Sequence, residues 1–313
     1  MLQVTCEGSP YEIGVKHGHI CKEQVMASVL FTKELSFNST HKPWIEVQEV
    51  ARMFSNTIKN RWPRYYKEME GIAEGSGCDL LDIIALNIRT EIAFGLATSP
   101  PDSAIGDGCT NAWAQTPYGP LQGQNWDWLV AQKRNLVQLT IRQHNYPEIQ
   151  MITEAGMIGK IGLNSAGVAV TYNALYVRGA NFKGLPSHLA MRMALESCSV
   201  GEACLAIQCQ GGMAASAYIL VGDRTTARGV EFSSLDIKYQ SPNRYGYVAH
   251  TNHCLIAREE SLDEVGYPAD SIQRLARIEE LLRSFCGGRE AFSDLWKDEQ
   301  DSPTGICRAL RQL

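Results

Sequence analysis

Apolar positions recur at helical spacing in the first third of the chain and in short β-rich runs after residue 108. Residues 9–36 open with Ser9-Pro10-Tyr11-Glu12, a Ser-x-x-Glu capping box with Pro at the first helical position. Residues 45–70 alternate charges with Val47, Val50, Met53, Phe54, Ile58 and Trp62, and predict a second helical stretch. A third, 79–96, starts at Asp79 and carries Leu80, Leu81, Ile83, Ile84, Leu86 and Ile88. Pro100-Pro101-Asp102 with Gly106 and Gly108 then reads as a surface loop. Beyond it, strands are predicted at 109–115, 121–126, 136–142, 149–153 and 168–172, separated by Gly- or Pro-containing turns. Helices return at 187–198 and 201–209. Strands resume at 217–221, 230–232, 237–239 and 247–250, and helices close the pattern at 268–284 and 289–298. Helix, sheet, helix pair, sheet, helix predicts a layered α+β sandwich in one domain.

Composition narrows the function classes. With 313 residues, 44% hydrophobic and 20% charged, the chain is globular. A net charge of -5 and the lack of any Lys/Arg run beyond two residues argue against a nucleic-acid partner. The longest apolar candidate, 203–222, is broken by Gln208, Gln210, Gly211 and Gly212, so no membrane partner is expected. The N-terminus lacks a basic n-region and meets Glu7 early, unlike a signal peptide.

The ten cysteines are scattered and form no Cys-x-x-Cys pair, and His-Glu-x-x-His is absent. Neither a metal nor a cofactor is expected. Leu163-Asn164-Ser165-Ala166-Gly167 fails the hydrolase elbow at its first position, and neither Gly-x-Gly-x-x-Gly nor a P-loop occurs. Most thiols read as small buried hydrophobes in a reducing compartment.

One cysteine stands apart. In Gly106-Asp107-Gly108-Cys109-Thr110, two glycines flank an acid and precede a cysteine that opens a strand. One reading is a turn followed by a buried strand cysteine. The other is a cleavable Gly108–Cys109 bond. Glycine's backbone freedom lets a strained peptide be presented, the thiolate attacks the Gly108 carbonyl, and water opens the thioester. Cys109 is then N-terminal, and its α-amine, with an ordinary pKa of about 7.7–8.0, is a general base beside its own thiol. Downstream, Gln122-Gly123-Gln124-Asn125-Trp126-Asp127 ends the next strand, so a hairpin would return Asp127 to the neighbourhood of Cys109.

These segments resemble a known family. Gly108-Cys109-Thr110, Leu121 to Asp127, Thr153-Glu154-Ala155-Gly156-Met157-Ile158-Gly159-Lys160, Gly167-Val168-Ala169-Val170, Tyr172-Asn173-Ala174-Leu175, Gly211 to Ala217 and His250-Thr251-Asn252-His253-Cys254 are similar to the fungal acyl-coenzyme A:6-aminopenicillanic-acid (isopenicillin N) acyltransferase family of N-terminal-nucleophile hydrolases. The resemblance runs from Met1 to about Arg308. It implies a four-layer αββα sandwich over 1–313. Self-cleavage would divide it into an α-subunit-like segment, residues 1–108, and a β-subunit-like segment, residues 109–313, that remain partners. The resemblance implies Cys109 as nucleophile freed from Gly108, Asp127 as the acid that orients the new amine, and Asn252 as an oxyanion-hole amide. Ser233 matches a serine tied to maturation and activity, and Arg308 matches a motif arginine of the family's C-terminal part; with Asn111 they are expected to serve maturation or substrate binding. Where the family has Cys-Thr-Thr, this chain has Cys109-Thr110-Asn111, which predicts altered processing. The family continues past this point with a Ser-Arg pair and closing strands, so a sandwich short of its C-terminal strands is expected.

The activity so implied is acyl transfer from acyl-coenzyme A to a small amine or β-lactam, with amide hydrolysis as a related outcome, in antibiotic and other secondary metabolism. The alternative is an uncleaved, silent paralogue that binds a ligand or partner. At the tail, Arg311-Gln312-Leu313 matches a Ser-Lys-Leu address only at Leu313, which predicts a cytoplasmic protein, or a peroxisomal one if the natural chain is longer. His17, His19, His188, His250 and His253 read as structural, and Trp126 and Trp128 as core or pocket residues.

Overall fold

The computed structural model describes residues 1–96, 108–257, 264, 266–302 and 304–308. The Pro100-Pro101-Asp102 loop with Gly106 and Asp107, and the Arg311-Gln312-Leu313 tail, lie outside the described residues.

The helical first third is α1 (Pro10–Ile20), α2 (Lys22–Thr40), α3 (Trp44–Arg61), α4 (Pro63–Ser76) and α5 (Leu80–Asn87), followed by a π turn at Glu91–Gly95. The capping box at Ser9 forms as expected, with the Ser9 side chain on Glu12 N and the Glu12 carboxylate on Ser9 N. The predicted stretch 45–70 is two helices, because Pro63 cannot continue the first and opens the second. Likewise 9–36 breaks at Cys21. Helices α1 and α4 meet through glycines: a Cβ on Gly14 would lie 2.0 Å from Glu68 O, and one on Gly71 2.2 Å from Tyr11 O. Backbone contact this close needs residues without a side chain.

The strands are β1 (Leu2–Glu7), β2 (Gly108–Thr116), β3 (Gly119–Asp127), β4 (Leu136–Arg142), β5 (Ile149–Glu154), β6 (Ile161–Asn164), β7 (Ala169–Ala174), β8 (Ala217–Gly222), β9 (Ala227–Phe232), β10 (Ile237–Gln240) and β11 (Tyr247–His250). The sequence pattern missed β1 and β6. β1 joins the larger sheet, parallel to β4, with Val4 and Cys6 inward. An eight-stranded sheet runs β1-β4-β5-β6-β7-β8-β9-β10, and a three-stranded sheet runs β11-β2-β3.

Strand parity assigns the layers. Val137, Leu139, Ile141, Ile219 and Val221 of the large sheet pack with the helices α1 to α5, α6 (Ser187–Leu195) and α7 (Val200–Gln208). Tyr218 and Leu220 point the other way and meet Trp113 and Val248 of the small sheet. Ala112 and Ala114, next to Trp113 in sequence, turn outward against Ile278, Leu282 and Phe292 of α8 (Ser271–Arg283) and α9 (Arg289–Leu295). The order is helices, sheet, sheet, helices, the expected four-layer α+β sandwich. Among the described residues no strand pairs with the outer edge of β3. No described helix is long and apolar enough to cross a membrane.

Candidate active site

The hairpin β2–β3 brings the two halves of the sequence signature together. Its loop is short: Thr116 pairs with Gly119, whose φ of +105° is one that glycine adopts without strain. From that pairing the register follows strand-long, and it sets Gly108 opposite Asp127 and Cys109 opposite Trp126. Cys109 is buried at the head of β2.

Charged and amide groups converge on the backbone of Cys109. Its N–H donates to Asn252 Oδ1 at 2.7 Å. Its carbonyl accepts from Arg274 Nη1 at 2.6 Å, and the same nitrogen donates to Thr110 Oγ1 at 3.0 Å. Arg274 Nη2 donates to Asn252 Oδ1 at 3.0 Å, so one guanidinium ties the two residues together. Asn252 turns its Nδ2 toward the Ala174 carbonyl at 3.2 Å, and Ser271 Oγ accepts its N–H at 2.8 Å. It is therefore the side-chain oxygen of Asn252, not its NH2, that meets Cys109 here. Burial pushes the Arg274 pKa down, while the neighbouring Asp270 charge holds it up; an arginine stays protonated regardless.

From Arg274 the charges alternate. Its Nε donates to Asp270 Oδ1 at 3.2 Å. Asp270 Oδ2 lies 2.5 Å from Arg308 Nη2, and Arg308 Nε lies 3.3 Å from Asp127 Oδ2. A row Arg274–Asp270–Arg308–Asp127 thus runs from the Cys109 carbonyl to the residue facing Gly108. Arg308 presses on Gly108 so closely that a Cβ there would stand 2.4 Å from Nη2 and 2.7 Å from Cζ. The sequence reading asked glycine for backbone freedom at 108. Gly108 lies in the β2 ladder, and it also supplies room for Arg308.

The other expected residues fall at different distances from this centre. Asn111 is buried two positions along β2, facing Gln124 across the pair, and neither its Oδ1 nor its Nδ2 finds a hydrogen-bond partner among the described residues. Ser233 organises the β9–β10 turn: its hydroxyl donates to Asp236 Oδ1 at 2.9 Å and accepts from Leu235 N and Asp236 N. His250 is stacked on Tyr218 with ring centroids 3.7 Å apart; Nδ1 meets the Thr251 carbonyl at 2.7 Å and Nε2 meets Glu231 at 3.1 Å. His253 Nδ1 lies 2.7 Å from Ser271 Oγ, and burial, then the charges of His250 and Arg274, lowers its pKa to about 4. Both histidines brace the Asn252 segment. Trp126 and Trp128 line a narrow cavity with Cys109, which also contains Arg89, Thr90, Phe94, Lys160, Tyr172 and Ala174.

Sequence reasoning missed Arg274 and Asp270. Their i,i+4 spacing in a predicted helix is the usual signature of a solvated pair; only packing against β2 buries them. Among the described residues no cluster of His, Cys, Asp and Glu could hold a metal.

Comparison with known proteins gives three findings. Residues 114–312 match the family described as Acyl-coenzyme A:6-aminopenicillanic acid acyl-transferase. The chain is 48% identical over 312 residues to the acyl-coenzyme A:6-aminopenicillanic-acid-acyltransferase 40 kDa form of Emericella nidulans, covering all of this chain and 86% of that protein. Among solved structures, a penicillin V acylase from Agrobacterium tumefaciens aligns over 46% of this chain and 44% of its own, with 12% identity and a TM-score of 0.28.

Proposed function

Since the chain belongs to the acyl-coenzyme A:6-aminopenicillanic acid acyl-transferase family, we propose that it is a self-processing cysteine acyltransferase. It moves an acyl group from acyl-coenzyme A to a β-lactam-type amine such as 6-aminopenicillanic acid, with water as an alternative acceptor. The family relationship by itself supports an enzyme that handles acyl groups. The finer reading is supported by one observation above all: the polar groups around Cys109 grip its backbone N–H and carbonyl. Any buried backbone N–H and carbonyl need partners; here side chains from other elements, Asn252 and Arg274, supply them, and these can stay with the nitrogen once it is a free amine.

Maturation runs as an N-to-S acyl shift. Cys109 Sγ attacks the Gly108 carbonyl carbon, the C–N bond breaks, and the nitrogen takes up a proton to leave as an amine. Water then hydrolyses the thioester, leaving a Gly108 carboxylate and a free Cys109. The product is two partner fragments, 1–108 and 109–313. In turnover the α-amine takes the thiol proton, the thiolate attacks the acyl thioester, and coenzyme A leaves with that proton. The acceptor amine attacks the acyl-cysteine, loses its proton to the base, and the thiol returns. Asp127, through its place opposite Gly108, holds the ammonium, and Arg308 sets the position of Asp127. Asn252 serves twice: its oxygen keeps the Cys109 nitrogen in place, and its NH2 supplies an oxyanion donor. Asn111 and Ser233 belong to maturation in this reading, Asn111 because it is buried beside the scissile strand end.

Mass spectrometry of the purified protein, paired with an acyl-coenzyme A plus amine assay, tests the proposal. Fragments beginning at Met1 and Cys109, and acyl transfer that disappears with cleavage in Cys109→Ala, are expected. One intact, inactive chain would favour the silent, ligand-binding alternative. Normal processing and transfer in Cys109→Ala would overturn the mechanism.

A further inference from the structure

We infer that the cavity beside Cys109 is a carboxylate subsite in which Arg89 receives the anion of a substrate. The inference rests on the acyl-transfer reading for what brings the carboxylate, but its geometry is independent of that reading. Arg89 follows α5 and is 5% exposed. Its guanidinium lies over the Trp128 ring, 5.2 Å from the centroid. Nη2 donates to Glu154 Oε1 at 2.8 Å, whereas Nη1 is buried and has no hydrogen-bond partner among the described residues. Buried guanidinium donors are rarely left unmet, because burial removes the water that would otherwise satisfy them.

Glu154 does not supply a second bond. Its other oxygen is turned to Lys160 at 3.6 Å, so one carboxylate serves two cations. Burial alone would raise the Glu154 pKa, but the Arg89 and Lys160 charges outweigh it and hold it at about 2, so this carboxylate is ionised and already engaged. His188, beside the cluster, has its pKa driven well below the ordinary value by burial and by Lys160 and Arg89, and adds no charge. The unmet Nη1 calls for a further acceptor oxygen, and a carboxylate supplies one with a charge that suits the guanidinium.

The cavity's shape agrees with that assignment. Arg89 and Cys109 line the same narrow space of about 20 Å³, walled by Phe94, Trp126, Trp128 and Tyr172. Aromatic walls exclude water and strengthen a charge-assisted bond there. A carboxylate held on Arg89 would fix a substrate relative to the reacting thiol, which is how remote binding groups orient a reaction. The carboxylate belongs either to the amine acceptor or to the acyl group.

Two substrate pairs distinguish these sources. Acceptor use is compared between 6-aminopenicillanic acid and its methyl ester with octanoyl-coenzyme A as donor. Donor use is compared between glutaryl- and pentanoyl-coenzyme A. Wild-type protein is expected to favour the carboxylate member of one pair by about 10- to 100-fold in kcat/KM, the usual range for a hydrogen bond to a charged group. Arg89→Gln combined with Glu154→Gln, which removes one charge of each sign, should bring that ratio toward one. Should the paired variant fail to fold, Arg89→Lys keeps the charge, loses the fork and should also shrink the ratio. Collapse of the acid-to-ester ratio assigns the carboxylate to the acceptor, and collapse of the glutaryl-to-pentanoyl ratio assigns it to the acyl group. Transfer with both ratios unmoved in the variants overturns the subsite while leaving the transferase reading intact. If wild-type protein transfers no acyl group, calorimetry with 6-aminopenicillanic acid and its ester, and with glutarate and its dimethyl ester, decides the subsite alone. Tighter binding of an acid that is lost in the variant upholds it, and equal binding of acid and ester overturns it.

Discussion

Arg308 lies against Gly108 so closely that even a methyl group on the glycine would enter its guanidinium, 2.4 Å from Nη2. The same guanidinium reaches Asp127 and Asp270. Position 108, on the proposed scissile bond, is thereby coupled to the acid across the hairpin.

Gly108→Ala should push Arg308 off both carboxylates and slow maturation by about 10²-fold, the cost expected when reacting groups are displaced by about 1 Å. A time course of fragment appearance after synthesis measures it. Cleavage at the wild-type rate would detach Arg308 from processing.

The two ends of the Asn252 amide can be separated. Asn252→Ala removes both and should lower turnover by roughly 10²–10³-fold. Asn252→Asp keeps the oxygen that accepts from Cys109 N and Arg274 Nη2 and loses the NH2. It should mature to the same two fragments yet turn over as slowly as the Ala variant. Full activity in Asn252→Asp would move the oxyanion donor elsewhere.

Arg274→Met should destabilise the fold by roughly 3 kcal/mol, since it strips a buried partner from Asp270 and from the Asn252 oxygen. Denaturant unfolding of the purified variant reads this. Arg274→Lys should recover some of the stability and less of kcat, because an ammonium cannot hold the Cys109 carbonyl, Thr110 and Asn252 in one planar fork. Equal kcat in the two variants would assign Arg274 to stability alone.

Acid should unfold the protein partly through His17. This buried imidazole accepts the Gly156 N–H on Nε2 at 3.0 Å and must be neutral to do so. Burial, then the Arg192 charge, lowers its pKa to about 4 from 6.5. The unfolded chain therefore binds the proton more tightly. His17's contribution is fully present above about pH 6.5 and is lost as pH falls to about 4, a loss of about 3 kcal/mol. Thermal melting from pH 7 to 4 should show that decline, and His17→Gln, which keeps an acceptor that does not titrate, should flatten it. An unchanged slope in the variant would place the acid sensitivity in other groups.

Much of this architecture is local and so was legible in the chain. The Ser9 capping box, the strands from Gly108 to Asp127 and the helix from Ser271 each follow from contacts within a few residues, as does the alternation that puts Trp113 inside and Ala112 outside. The hairpin register is local too, which is why the sequence alone could bring Asp127 back to the Cys109 strand. The glycines of α1 and α4 were plain in the sequence, but their use was not, because it depends on two helices touching. The same holds for the site. Cys109, Asp127 and Asn252 stand in recognisable segments, whereas Arg274, Asp270 and Arg89 look like ordinary helix-surface charges until packing removes their water. Whether a charge is solvated or buried is set by what folds over it from distant stretches of the chain. Only the tertiary structure could decide that Arg274 grips the Cys109 carbonyl and that Gly108 makes room for Arg308.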